Sequence, residues 1–443
     1  MKKLITLILA LILCQGIISC KKNSAATHPP DTFFKVYNEP VAKQSITTRT
    51  TTYSSGSMAV DNNGNIYVFY QDSLISGYPR LAIIKTDKNG EKIWNVSYLP
   101  FNPVRIDVDL NNNNNTWPDF LCIGQSLFIA GADSSGNRKV LRINCSGGKM
   151  TNQFSLEQIA PSTRSFFQLV GMWPTIEGNL LVGAWSSSVG GFQTPVLNLL
   201  DQSGNLIWAN NNFPCPVPDS SNFHEHPYCL LELTNGNFIY GTVGMYGFSD
   251  NNGNSLVSST LYFRQLSSSG NLIRTDSLAQ GVYNSSGDPT FINSNGAAQS
   301  FSLFTSPLGG YIIVSLETYD YYQDARVKIL KTDPSFHVQD SSYVSLGCSV
   351  VTSAVQNKEG EIIMSVFNQV LPVTNIICNL YKIEPNGSVT TQNQIGLPTQ
   401  SVFISGMSLT NDDHILMDGL IQFANVDTNN LFILKTDKDG HFN

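Results

Sequence analysis

One pattern constrains this chain more than any other. A β-rich run, a tight turn ending in glycine and a second β-rich run recur from end to end. The first copy reads Ser57–Val60, the turn Asp61–Gly64, then Asn65–Tyr70. After a loop come Arg80–Asp87, a turn through Gly90, and Glu91–Tyr98. Val, Ile and aromatic residues suit a pleated surface. Asn-Gly between such runs is a strong hairpin signal, because both residues tolerate positive φ. The unit is therefore four strands with two tight turns, and its remaining connections are longer.

The unit recurs. Its second half returns at Val140–Asn144 with Gly147, Val196–Asp201 with Gly204 and Trp208, and Leu261–Leu266 with Gly270. It returns again at Val327–Asp333, Leu380–Glu384 with Gly387, and Leu431–Asp437 with Gly440. The first-half turn recurs at Gly64, Gly124, Gly178, Gly236, Gly310, Gly360 and Asp413. This makes seven units of roughly 50–70 residues, the period of a β-propeller blade. The expected fold is all-β: a seven-bladed β-propeller with four antiparallel strands per blade. Two copies depart from the pattern. Pro334–Phe336 lacks the turn glycine, and Cys145 stands where other copies carry Asp. The last copy ends after its third strand, and Phe33–Asn38 resembles the fourth strand Lys92–Tyr98. The N-terminal strand is expected to close the ring, which hides edge strands.

The first thirty residues carry an address. Lys2 and Lys3 precede an apolar stretch, Leu4–Leu13, too short to remain as a membrane span. Ile17-Ile18-Ser19-Cys20 resembles a bacterial lipobox, in which the Cys thiol takes a diacylglycerol and the leader is removed. The resemblance implies a lipoprotein signal peptide over 1–19, a polar tether over 20–30 behind the lipidated Cys20, and one propeller domain over 31–443. It also implies acyl chains of the palmitate kind in the bilayer. Lys21 follows Cys20, where an inner-membrane retention signal would have Asp, so an outer-membrane lipoprotein of the cell envelope is expected. Whether it faces the surface or the periplasm is left open. The repeats ending in Lys-Thr-Asp-x-x-Gly, as at Lys85–Gly90 and Lys435–Gly440, resemble those of seven-bladed propeller lipoproteins of Bacteroidota. That resemblance covers nearly the whole mature chain and implies architecture rather than activity.

Composition narrows the partners. Only 13% of residues are charged and the net charge is −7. A binder of nucleic-acid phosphates needs a basic surface, so no nucleic-acid partner is expected. The chain is also too apolar, at 41%, to be a disordered tail.

Connections between strands two and three, and from strand four to the next blade, emerge on one rim. Binding residues concentrate on such loops. His224 and His226 alternate around Glu225, as strand-borne metal ligands would, but two ligands do not make a site. Asp107, Asp109 and Asn111 offer the hard oxygens calcium prefers, but they lack the closing Glu of an EF-hand and a polar Asn run is ordinarily a solvated loop; no cofactor is expected, calcium being the one weak candidate. Trp117, Trp185, Tyr246, Tyr319, Tyr321 and Tyr322 could stack on sugar rings or pack against neighbouring loops. Beyond Cys14 and Cys20, neighbour pairing of the cysteines gives Cys122–Cys145, Cys215–Cys229 and Cys348–Cys378, which an extracytoplasmic location permits. Asp72-Ser73-Leu74 and Asp276-Ser277-Leu278 resemble an O-glycosylation site of Bacteroidota.

No Gly-x-Ser-x-Gly, His-Glu-x-x-His, Walker or Cys-x-x-Cys motif occurs. Missing motifs do not exclude a propeller enzyme, whose residues converge from different blades. Together with the lipid anchor, the repeat and the weakly charged surface, they favour a non-catalytic function: a membrane-anchored lipoprotein that binds a glycan, peptide or envelope protein through its loop-rich face. The alternative is a propeller hydrolase or lyase acting on extracellular polysaccharide, with His224, His226 and the acidic loops converging at the channel mouth.

Overall fold

A computed structural model describes residues 32–37, 39 and most of 55–441. Outside the described residues within that span lie 76–77, 104–119, 134, 136–137, 157–165, 188–192, 211–212, 214–222, 250–254, 285–296, 319–324, 348, 369–376, 396–399 and 424–428. The chain forms seven four-stranded antiparallel blades in a ring. Blades 1 to 6 occupy residues 55–103, 120–155, 166–210, 223–284, 297–347 and 349–395. Blade 7 takes three strands from 400–436, and its outermost strand is Phe33–Tyr37. Around the axis the innermost strand of blade 1 meets those of blades 2 and 7, that of blade 7 meets that of blade 6, and that of blade 4 meets that of blade 5.

The second and third strands read as near-continuous apolar runs because each blade is covered on both faces. In Ile66–Tyr70 every residue is buried. Side chains alternate across a strand, so Tyr67 and Phe69 join Phe120 and Leu127 of blade 2, while Ile66, Val68 and Tyr70 join Leu416 and Leu431 of blade 7. Each of the seven seams between blades holds one such apolar cluster. Burial at ~25 cal/mol per Å² of apolar surface, summed over these seams, is the main force holding the ring together.

Apart from the first turn of blade 2, where Ile123 lies opposite Ser126, the tight turns differ from the two-residue form that the Asn-Gly signal predicts. Asp61 N–H donates to Asn65 O at 3.0 Å, and Gly64 N–H donates to Asp61 O at 2.9 Å. Only the glycine takes positive φ, at 78°. This is a type I turn followed by a glycine bulge. Asp61 Oδ1 accepts from the N–H groups of Asn63 and Asn65, both at 2.9 Å, which explains why Asp opens so many of these turns. The same bonds recur at Asp87, Asp201, Asp333 and Asp437.

Three expectations shift here. In blade 2 the turn is one residue longer. Asn144 takes the Asp role by accepting from Ser146 N–H at 2.8 Å, and Gly148, not Gly147, has positive φ. In blade 5, Gly309 rather than Gly310 closes the first turn. The loop expected after Tyr70 is instead a continued ladder, with Ser73 opposite Arg80 and Ile75 opposite Tyr78.

The turns also serve the seams. Trp208, on the outer strand of blade 3, donates from Nε1 to Ser268 O in the blade 4 turn at 3.0 Å. A Cβ on Gly270 would lie 2.5 Å from the Trp208 ring, so this glycine is required both by its φ of 79° and by the indole beneath it. Equivalent bonds run from Tyr98 to Gly148 O at 2.6 Å, Ser342 to Gly387 O at 3.0 Å and Asn393 to Gly440 O at 2.8 Å.

The ring closes as the sequence predicts. Phe33–Tyr37 pairs antiparallel with the third strand of blade 7, from Phe33 opposite Lys435 to Tyr37 opposite Leu431. Strand direction alternates within each blade, so all tight turns lie on one rim and all other connections on the opposite one.

Candidate functional site

Blade 4 carries long strands toward the long-connection rim. Its strands are Phe223–Glu232, Phe238–Ser249, Ser255–Leu266 and Leu272–Asn284, with 10, 12, 12 and 13 residues. The central hairpin carries Tyr246 and Phe248, which stack at 5.9 Å between ring centroids and 13° between planes. Both are half-buried, so each keeps ring surface open to solvent. Paired rings on a rigid hairpin suit a flat apolar or sugar-ring contact.

The innermost strand carries the His-Glu-His segment. His224 lies opposite Met245 and makes one parallel pairing with Gln193 of blade 3, while His226 lies opposite Val243. The side chains of both histidines are outside the described residues. Glu225 is turned into the seam with blade 3 and is 1% exposed. Its carboxylate takes both arms of the fully buried Arg264 guanidinium, with Nη2 to Oε2 at 2.9 Å, and also accepts from the Thr242 hydroxyl. Arg264 Nη1 is 2.9 Å from Thr242 Oγ1. The guanidinium carbon lies 5.2 Å from the Phe213 ring centroid and 5.7 Å from that of Tyr262. A bidentate pair with aromatic flanks is the geometry in which a buried charge is tolerated. The Tyr240 hydroxyl beside it is pushed well above its usual pKa, first by burial and then by the Glu225 charge, against the opposing effect of Arg264.

This network fixes the backbone of the His-Glu-His strand. Sequence reading missed it, although a signal was present. Arg264 interrupts an apolar third strand at the position where blades 1, 2 and 7 carry Ile84, Leu141 and Leu434.

A second polar cluster lies at the tight-turn end of the seam between blades 1 and 2. The Cys122 and Cys145 thiols are 3.8 Å apart. Lys85 Nζ donates to Cys145 O at 2.9 Å, and the Tyr67 hydroxyl donates to Asp61 Oδ2 at 2.9 Å. Contact with Cys145, together with burial, pushes the Cys122 thiol up. Contact with Cys122 pulls the Cys145 thiol down, against the effect of burial. Cys229 and Cys378 are buried in separate seams; burial pushes the Cys378 thiol up to about 12. Their expected partners, Cys215 and Cys348, lie outside the described residues.

Of the other expected site residues, Trp185 sits in the second strand of blade 3 opposite Gln168 and Pro195, its side chain outside the described residues. Cys20, Asp107, Asp109, Asn111, Trp117, Tyr319, Tyr321 and Tyr322 also lie outside them. Among the described residues, no group of three or more His, Cys, Asp or Glu is placed to hold a metal ion. Asp72–Leu74 lies within a strand of blade 1. Ser277 is exposed on the outer strand of blade 4, and its neighbour Asp276 pairs with Arg274 at 2.9 Å.

No protein-family model matches the chain, and no curated protein matches it. The solved structures it is similar to include a propeller domain, a WD40 domain and a polysaccharide lyase. The propeller domain of the Trilobed protease from Pyrococcus furiosus is 10% identical, with 87% of this chain and 97% of that chain covered and a TM-score of 0.44. The WD40 domain of Toxoplasma gondii coronin is 10% identical, covering 93% and 89%, with a TM-score of 0.44. A polysaccharide lyase, an ulvan lyase, is 10% identical, covering 93% and 96%, with a TM-score of 0.49. With TM-scores below 0.5 these likenesses carry nothing further, and the fold rests on the chain's own strand topology. The chain is a seven-bladed β-propeller.

Proposed function

We propose that this protein is a lipoprotein of the bacterial cell envelope, held in the outer membrane through acylated Cys20. Its propeller binds a glycan, a peptide or another envelope protein through the long-connection rim, without catalysis. The difference between the rims carries this reading. One is built from tight, hydrogen-bonded turns. The other bears the connections between blades and the projecting Tyr246–Phe248 hairpin. Ligand contacts gather on such loops when a rigid scaffold presents them. A weakly charged surface suits hydrogen-bonded neutral ligands better than phosphates.

The test is binding by the acylated protein to purified envelope and extracellular polysaccharides, with the Tyr246→Ala, Phe248→Ala double variant alongside. Retention that falls at least about tenfold in the variant, a loss of ~1.4 kcal/mol, supports the reading. Appearance of new reducing or unsaturated sugar ends would overturn it in favour of a polysaccharide-degrading enzyme. Protease shaving of intact and lysed cells then separates a surface ligand from a periplasmic one.

A further inference from the structure

The polarity of the closing strand assigns the two rims to two environments. Phe33 lies opposite Lys435, next to the tight turn Asp437–His441, and Tyr37 lies opposite Leu431, toward the other rim. The chain therefore enters the propeller at the tight-turn rim. A Cβ on Gly90, in the blade 1 turn on that rim, would lie 2.5 Å from the Phe33 ring, which places the entry point independently.

The same rim carries apolar side chains that nothing in the fold requires to be there. Ile176 is 76% exposed and Leu308 64% exposed, each at the tip of a first turn, in blades 3 and 5. Around its edge Ile93, Ile207 and Ile273 are about half exposed, each just after a second turn in blades 1, 3 and 4. Turn tips ordinarily carry Gly, Asn, Asp, Pro and Ser.

We propose that the tight-turn rim is the membrane-facing surface of the propeller, resting its apolar tips on the phospholipid headgroup region while the long-connection rim points away. This rests on the acylation of Cys20 proposed above. The occupant follows from where the chain ends. Between Cys20 and Thr32 stand residues 21–31, which span at most roughly 40 Å when fully extended. To turn the other rim to the bilayer, the tether would have to run back along the blade. The eight-residue strand Asn429–Thr436 alone is ~26 Å long. That path consumes most of the reach, whereas the tight-turn rim is met at the tether's end. Isolated Ile and Leu side chains add weak interfacial affinity, which matters once an acyl anchor already holds the protein at the surface.

The experiment uses the full acylated chain on phosphatidylethanolamine–phosphatidylglycerol vesicles containing a nitroxide-labelled lipid. An environment-sensitive non-natural residue is placed at position 176, and in separate preparations at 308 and at 248. Quenching at 176 and 308 at least about threefold stronger than at 248 is expected for side chains lying in the interface. Ile176→Asp, placed in the chain labelled at 308, should cut the quenching there. Vesicle flotation with equal quenching at all three positions, or with 248 quenched most, would overturn the orientation and leave the anchor standing. Failure to float, with an intact mass lacking diacylglycerol, would overturn the anchor and the orientation with it.

Discussion

The Tyr37 hydroxyl donates to the Gly90 carbonyl oxygen at 2.7 Å, across 53 positions of the chain. Tyr37 belongs to the outer strand of blade 7 and Gly90 to a turn of blade 1, so this bond crosses the seam where the ring closes. Lys35 pairs with Glu91 and Lys92 with Glu39 at the same seam, the latter at 2.8 Å. The closing strand is thus held by blade 7 through its ladder and by blade 1 through side chains. Tyr37→Phe should cost about 1 kcal/mol, the net worth of one hydrogen bond. Removing residues 33–37 should instead free the edge of Asn429–Thr436 and produce self-association. Denaturant titration checks the first and light scattering the second.

Glu225 and Arg264 depend on each other. Glu225→Gln or Arg264→Met alone should destabilise by about 3–5 kcal/mol, because each leaves a buried charge without its partner. Replacing both with Met should recover much of that loss. A double-mutant cycle by denaturant unfolding reads the coupling, and additive losses would show that the pair is not held as described.

Phe336 holds positive φ, at 61°, at a place that other turns, apart from Asp413 at 62°, give to glycine. Its ring stacks on Phe263 at 4.0 Å and on Tyr311 at 4.7 Å, and it is buried in the seam between blades 4 and 5. A bulky residue in this region pays a strain of ~1–3 kcal/mol, and the stack offsets it. Phe336→Ala loses the ring and keeps the strain; Phe336→Gly loses the ring and releases it. The glycine variant should be the more stable of the two by about 1 kcal/mol, the reverse of the usual order. Thermal unfolding of the pair decides it.

Turn carboxylates set the acid limit. Burial acts to raise the pKa of Asp61, yet bonds from Asn65, Tyr67 and Asn63 hold it below the ordinary Asp range. For Glu361 burial is likewise outweighed, by Lys382 and Asn357. A folded-state pKa below the unfolded one adds stability that is present above the unfolded value and lost as pH falls through the folded one. With ordinary values of 3.8 for Asp and 4.5 for Glu, this contribution should be intact at neutral pH and lost progressively below them. Asp61→Asn should flatten that part of the pH–stability curve. An unchanged acid limb would count against the turn network as its source.

Cys122 and Cys145 are placed to oxidise together. Differential alkylation should find both protected in protein isolated from an oxidising compartment, and both reactive after mild reduction and denaturation. Protection of one alone would refute the pairing.

Sequence alone determined the strand repeat, the number of blades, the closing strand and the tight turns, except for one-residue shifts in blades 2 and 5. Each follows from local chemistry: apolar runs that need cover on both faces, Asp and Gly at turns, and a terminal segment that matches a missing fourth strand. Tertiary structure decided everything carried across a seam, where partners stand tens of residues apart. Arg264 finds Glu225 across 39 positions and Lys85 reaches Cys145 across 60. Cys145 stands in the repeat where other copies carry Asp, but Asn144 fills that role and Cys145 is freed to face Cys122. Phe336 lacks the turn glycine of the repeat, yet it supplies a ring to the seam with blade 4. Local patterns state which residues form strands and turns. They do not state which side chain of one blade meets which turn of the next, because that depends on the stagger and twist with which neighbouring sheets pack.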